Sequence, residues 1–179
     1  MLARRLAPLA ILVLLSLCVV QVRAASASCQ LPESIERFIS QEYPAGRILD
    51  LNDLDAGDRS RFQKEHRGAC PGAVRLDFFG DGGPSWAVIL LGVSRNPEDA
   101  DLVVLQKVGE EWRASTLDTA RSSKPVLWRG TPGLYKSKVD ETRQSLRAKG
   151  EVIVLCSYDS WALVYAWIGG KVQKIWLAD

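Results

Sequence analysis

Apolar and polar positions along the chain change their rhythm several times, and each change predicts an element. Residues 9–20 are apolar except at Ser16, with Arg4 and Arg5 before them and small residues up to Ser28. A basic start, a short apolar run and an Ala-Ser-Ala end predict a secretory leader over 1–27, cut after Ala27 or Ala24. The run is short for a bilayer span, which takes ~20 residues. Ile35, Phe38 and Ile39 then fall at the i, i+3, i+4 spacing of one helical face, predicting a helix over 32–43. Pro32 suits its start, Glu33 and Glu36 its positive end, and Pro44 and Gly46 stop it. The stretch 50–67 is polar, with Asp58 a candidate cap for a short helix through His66 and Phe62 its sole large apolar anchor.

From Gly72 the period shortens to that of strands. Runs at 74–79 and 86–91 flank Asp81-Gly82-Gly83, a hairpin signal. Runs at 102–108 and 112–117 flank Gly109-Glu110-Glu111, and runs at 151–157 and 161–168 flank Tyr158-Asp159-Ser160. Gly169-Gly170 leads into a last strand over 171–177, so the final strands form a meander. The segments 152–156 and 162–168 are almost wholly apolar, the mark of strands covered on both faces. Residues 125–135 read as a loop or short edge strand, and 137–149 as helix or irregular chain. Trp86, Trp112 and Trp161 each follow a hairpin turn, which predicts aromatics laid over one sheet face. The fold expected is α+β: an N-terminal helix packed on an antiparallel β-sheet of hairpins with a C-terminal meander, one domain over 28–179.

Composition narrows the function classes. The chain has 179 residues, 47% hydrophobic and 25% charged, with a formal net charge of +2. Without the leader the charge is close to zero, so there is no electrostatic claim on nucleic acid, and the mature chain carries no transmembrane segment. The expected destination is secreted or periplasmic. Cys18 leaves with the leader, and Cys29, Cys70 and Cys156 remain. The favoured pairing is Cys29 with Cys70, leaving Cys156 as a buried thiol in an apolar strand. The alternative is a lipid on Cys29 and a Cys70–Cys156 pair. One histidine and no C-x-x-C spacing argue against a Cys/His zinc site.

The chemistry-bearing candidates are few. In 77–88, Asp77, Asp81 and Gly82 stand at positions 1, 5 and 6 of a calcium loop, but Phe79 at position 3 has no ligand atom. Ser85 at position 9 is a weak ligand, and Val88 replaces the bidentate Glu at 12. The segment resembles the D-x-N-x-D-G loop of FG-GAP and other calcium-loop hairpin proteins, which implies a calcium ion on Asp77 and Asp81, or a turn that keeps the shape without the metal. The order of leader, helix, this hairpin, Gly109 to Trp112, Pro132 to Tyr135 and Tyr165 to Lys171 also resembles a group of small exported bacterial proteins of unknown function. That likeness covers most of the mature chain, implies fold rather than chemistry, and lends no catalytic residue.

Asp50, Asp53, Asp55 and Asp58 form an acidic loop suited to capping or to a cation. His66, the single histidine, lacks a nucleophile signature beside it and reads as a solvated side chain. Of six tryptophans, Trp167 and Trp176 read as core, while Trp128 sits in a polar loop and is the candidate binding residue. The leading expectation is an exported, non-enzymatic binding or interaction module for a protein or envelope glycan, needing no cofactor. The alternatives are an exported hydrolase using carboxylates of the 50–58 and 77–81 loops, and a calcium-stabilised structural domain.

Overall fold

The computed structural model describes residues 29–137, 144–158 and 160–177. The expected leader, 1–27, lies outside the described residues, as does 138–143. Helix α1 (Glu33–Glu42) leads to β1 (Arg47–Ile48), a 3-10 turn (Leu51–Asp53) and α2 (Ala56–Glu65). The strands β2 (Ala73–Leu76), β3 (Ser85–Leu91), β4 (Ala100–Val108) and β5 (Glu111–Ala120) follow. After them come β6 (Val126–Gly130), β7 (Gly133–Lys136), β8 (Ser145–Ala148), β9 (Val152–Ser157), β10 (Trp161–Ile168) and β11 (Lys171–Leu177). The chain is mainly antiparallel β-sheet with two helices.

The strands make two sheets and a ribbon, not the single sheet expected. In the first, the order is β1-β3-β4-β5, and β2 also pairs with β3. β1 and β2 lie end to end along β3, since Ile48 faces Leu90 while Ala73 faces Val88. The second sheet runs β11-β10-β9-β6, and β7 pairs with β8 in the ribbon. The 125–135 segment is therefore mostly strand, because Val126 to Gly130 pair with Cys156 to Val152. Part of the 137–149 stretch is strand as well, as β8.

Side-chain alternation explains the layering. Ala87, Ile89, Leu102 and Val104 point toward Leu127, Ile153, Leu155 and Leu163 of the second sheet. Their strand neighbours Val88, Leu90, Val103 and Leu105 point the other way and pack on Ile35 and Ile39 of α1. On the second sheet Val152, Val154, Val164 and Ala166 turn outward against Leu146 and Ala148 of the ribbon. The layers are thus helix, sheet, sheet, ribbon, and the apolar runs of β9 and β10 are covered on both faces, as their composition requires. α1 has no side-chain cap on its first turn. Ile35 is fully buried, and a side chain of that size contributes about 1.5–3 kcal/mol, so packing holds this helix. Trp86 and Trp112 sit on the α1 side, whereas Trp161 packs against the core between the sheets, so the three do not share a face.

Cys29 and Cys70 are joined, with Cα atoms 5.0 Å apart, which ties the segment before α1 to the approach to β2. That bond occupies the Cys29 sulfur, as the favoured pairing expects. It also suggests an oxidising environment. Cys156 is a buried thiol on β9.

Candidate functional site

The glycine-rich turn is longer than a two-residue hairpin, because the paired strands end at Leu76 and Ser85. Its carboxylates are turned onto the backbone. Asp77 Oδ1 accepts the Gly80 N–H at 2.9 Å and its Oδ2 accepts the Gly82 N–H at 3.1 Å. Asp81 Oδ1 accepts the Gly83 N–H at 2.8 Å, and its Oδ2 accepts from Gln106 Nε2 at 3.3 Å. Ser85 is buried, and its Oγ accepts the Phe78 N–H at 3.2 Å. The loop's own N–H groups, with Gln106 of β4, therefore hold Asp77 and Asp81. Among the described residues no group of three or more His, Cys, Asp or Glu side chains is placed to hold a metal ion.

The acidic loop is likewise spent on local structure. Asp50 caps the 3-10 turn through the Asn52 N–H, at 2.6 Å. Asp53 accepts the Asp50 N–H and a forked pair from Arg47 at 2.5 and 2.6 Å. The Arg47 hydrogen bonds hold its carboxyl below the ordinary carboxylate value. Asp55, rather than Asp58, caps α2, its Oδ1 accepting the Asp58 N–H at 2.9 Å.

Trp128 and His66 both differ from expectation. Trp128 lies on β6, half-buried, with its ring stacked on His66 at 4.6 Å. His66, the C-cap of α2, also meets Phe62 at 5.0 Å. The imidazole is thus an aromatic plug between helix and sheet, not a solvated side chain. Burial pushes its pKa down, against a smaller upward pull from Glu65.

The strongest convergence of exposed aromatic and charged groups lies elsewhere. One seam of the sandwich is closed, where the Leu127 N–H donates to the Pro71 carbonyl at 2.8 Å beside β2 and β6. At the other end of both sheets, the edges β5 and β11 flank a cleft of about 300 Å3. Antiparallel register builds its floor. Leu163 faces both Leu155 and Trp176, and Tyr165 faces Lys174, so these side chains share the inner face of the second sheet. Trp161 precedes Leu163 on that face and meets Trp176 edge-on, with ring centroids 6.3 Å apart. Trp176 is 46% exposed, so it is not the core residue its apolar strand suggested. The opposite wall is β5 and the residue after it: Asp118, Thr119, Ala120 and Arg121.

Asp118 spans the cleft's base. Its Oδ2 accepts from Tyr165 Oη at 2.5 Å and from Lys174 Nζ at 2.9 Å, and its Oδ1 accepts the Thr119 N–H at 2.9 Å. Burial opposes ionisation, yet these hydrogen bonds and the Lys174 charge outweigh it and hold the carboxyl below its ordinary value. Burial, then the Asp118 carboxylate, push the Tyr165 phenol far up, so it stays a donor. A hollow of about 380 Å3 at the acidic loop, lined by Asp53, Asp55, Asp58 and Glu98, has no aromatic wall.

Sequence reasoning missed this site because its residues lie on separate strands. A signal was present in β11, where Val172, Lys174 and Trp176 fall on one face: an aromatic and a cation together mark a partly wet surface. Compared with protein-family models, curated proteins and solved structures, the chain finds no match.

Proposed function

We propose that this is an exported, non-enzymatic binding module that holds a saccharide in the cleft between β5 and β11. The observation that carries the reading is Trp176, an exposed indole standing beside the fixed Asp118–Lys174 pair. A pyranose presents one face of C–H bonds and a rim of hydroxyl groups. The indoles of Trp176 and Trp161 supply apolar area for the first, and Lys174 and Arg121 supply polar partners for the second. The cleft's volume lies at the lower bound for small-ligand sites, which suits a short saccharide segment.

The hydrolase reading draws less support. Glycoside hydrolysis uses a pair of carboxyl groups, one of them kept protonated by a raised pKa. The carboxylates that reading named in the 50–58 and 77–81 loops, Asp50, Asp53, Asp55, Asp77 and Asp81, accept backbone N–H groups of their own loops. The cleft wall offers Asp118, whose shift is in the opposite direction. The calcium reading rests on Asp77 and Asp81, whose oxygens the loop's own donors engage. We read that turn as one that keeps the shape of a calcium loop without needing the ion.

The test is intrinsic fluorescence and calorimetry against a panel of oligosaccharides. A binding saccharide should change tryptophan emission, and Trp176→Ala should weaken binding about tenfold, near 1.4 kcal/mol, with the melting temperature within a degree or two. Binding that is indifferent to Trp176→Ala, or no saccharide bound at all, overturns the proposal.

A further inference from the structure

The charges around the cleft say more about its ligand. The Asp118 carboxylate is engaged by Tyr165, Lys174 and the Thr119 N–H. Lys174 gives one of its three N–H donors to Asp118, and its side chain is about half-exposed. Arg121 is exposed on the cleft's rim and makes no hydrogen bond or ion pair with the described residues. Asp99, outside the cleft lining, forms no ion pair with it; its Oδ1 accepts from the Ser122 N–H and from Asn96 Nδ2. Of the three charged residues lining the cleft, two are cations and one is a carboxylate. The cleft therefore has a net positive charge, with a planar guanidinium free to form a fork.

Resting on the saccharide reading above, we infer that the ligand is an acidic saccharide whose carboxylate is received by Arg121 and Lys174. The guanidinium presents paired N–H groups that match a carboxylate two-for-two, and the ammonium adds a point charge beside it. A uronic-acid unit has both features the cleft complements: a ring face for Trp176 and an anionic group one bond outside the ring. A neutral sugar would leave the excess cation without a partner as its water is displaced.

Calorimetry on the full chain tests this with oligomers of galacturonate, glucuronate and mannuronate, each beside its methyl ester, and with neutral cello-oligosaccharides. The ester keeps the ring and erases the charge. At least one acidic oligomer should bind tenfold or more tighter than its ester. That preference should shrink several-fold between 20 and 200 mM NaCl, since the charges are exposed to ions. Arg121→Gln should weaken acid binding several-fold more than ester binding and so abolish most of the preference, whereas Trp176→Ala should weaken acid and ester alike. Equal binding of acid and ester, weakened by Trp176→Ala, refutes the charge assignment and leaves the saccharide reading standing. A preference for acid that survives Arg121→Gln also refutes it. Binding of none of the oligomers defeats both.

Discussion

Gly72 and Gly82 are both glycines for backbone reasons, but the reasons differ in strength. A Cβ on Gly72 would stand 2.1 Å from the Leu49 carbonyl oxygen, and backbone cannot swing aside as a side chain can. Gly72 also accepts the Ile89 N–H at 2.8 Å, so moving it strains β3 as well. Gly82 has φ of +77° with open space around it, so a substitution there meets only the left-handed backbone penalty. That penalty is about 1–2 kcal/mol. Overpacking against a fixed backbone costs about 3 kcal/mol or more. Urea denaturation should accordingly place Gly72→Ala well below Gly82→Ala in stability; the reverse order would mean that the Leu49 segment yields.

At the level of elements, α2 is held to the second sheet through rings. Phe62 is buried in the core and His66 stacks on Trp128. His66→Ala should cost about 1 kcal/mol through the lost aromatic contacts. The wild-type chain should also show a pH dependence that the variant lacks. The folded imidazole has a pKa below its ordinary 6.5, so the unfolded chain takes up the proton first. The contribution is present above 6.5 and is lost as pH falls through the lower folded value. Denaturation midpoints at pH 7.5 and pH 5 should thus differ more for wild type than for His66→Ala.

The hairpins were legible because a turn and its alternating flanks are local. Turns at 109–110 and 169–170 join β4 to β5 and β10 to β11, the first one residue shorter than the expected 109–111 because Glu111 already pairs with Val108. Which sheet each hairpin joins was not legible, because β6 finds β9 across more than twenty residues. The same gap explains Trp128, whose polar neighbours concealed a strand that pairs at long range. The cleft needed the two sheet ends to be known before Asp118 and Trp176 could be brought together.

For the whole molecule, the Cys29–Cys70 bond closes a loop with a separation of 41 residues. Loop entropy for that length corresponds to about 4 kcal/mol, less any strain. It holds α1, whose apolar face covers the first sheet, to the rest of the chain. Reduction should lower the melting temperature by roughly 10 °C or more, given the few degrees per kcal/mol usual for domains of about 150 residues. Alkylation of the oxidised, denatured protein should label Cys156 but neither Cys29 nor Cys70. Labelling of Cys29 or Cys70 under those conditions would contradict the pairing.

The register between β4 and β5 shifts at Leu102/Val103, so that Leu102 faces Asp118 while Val103 faces Thr116. β5 is the end strand of its sheet, and its outer row of N–H and C=O groups is the kind of template on which foreign chains add as extra strands. A bulge bends and twists that row, and Asp118 and Arg113 place charges along it. A flat, uninterrupted edge would seed fibrils from the folded protein. Because the irregularity that turns Asp118 toward Lys174 also spoils the edge as a template, the feature that shapes the cleft protects the protein's solubility at high concentration.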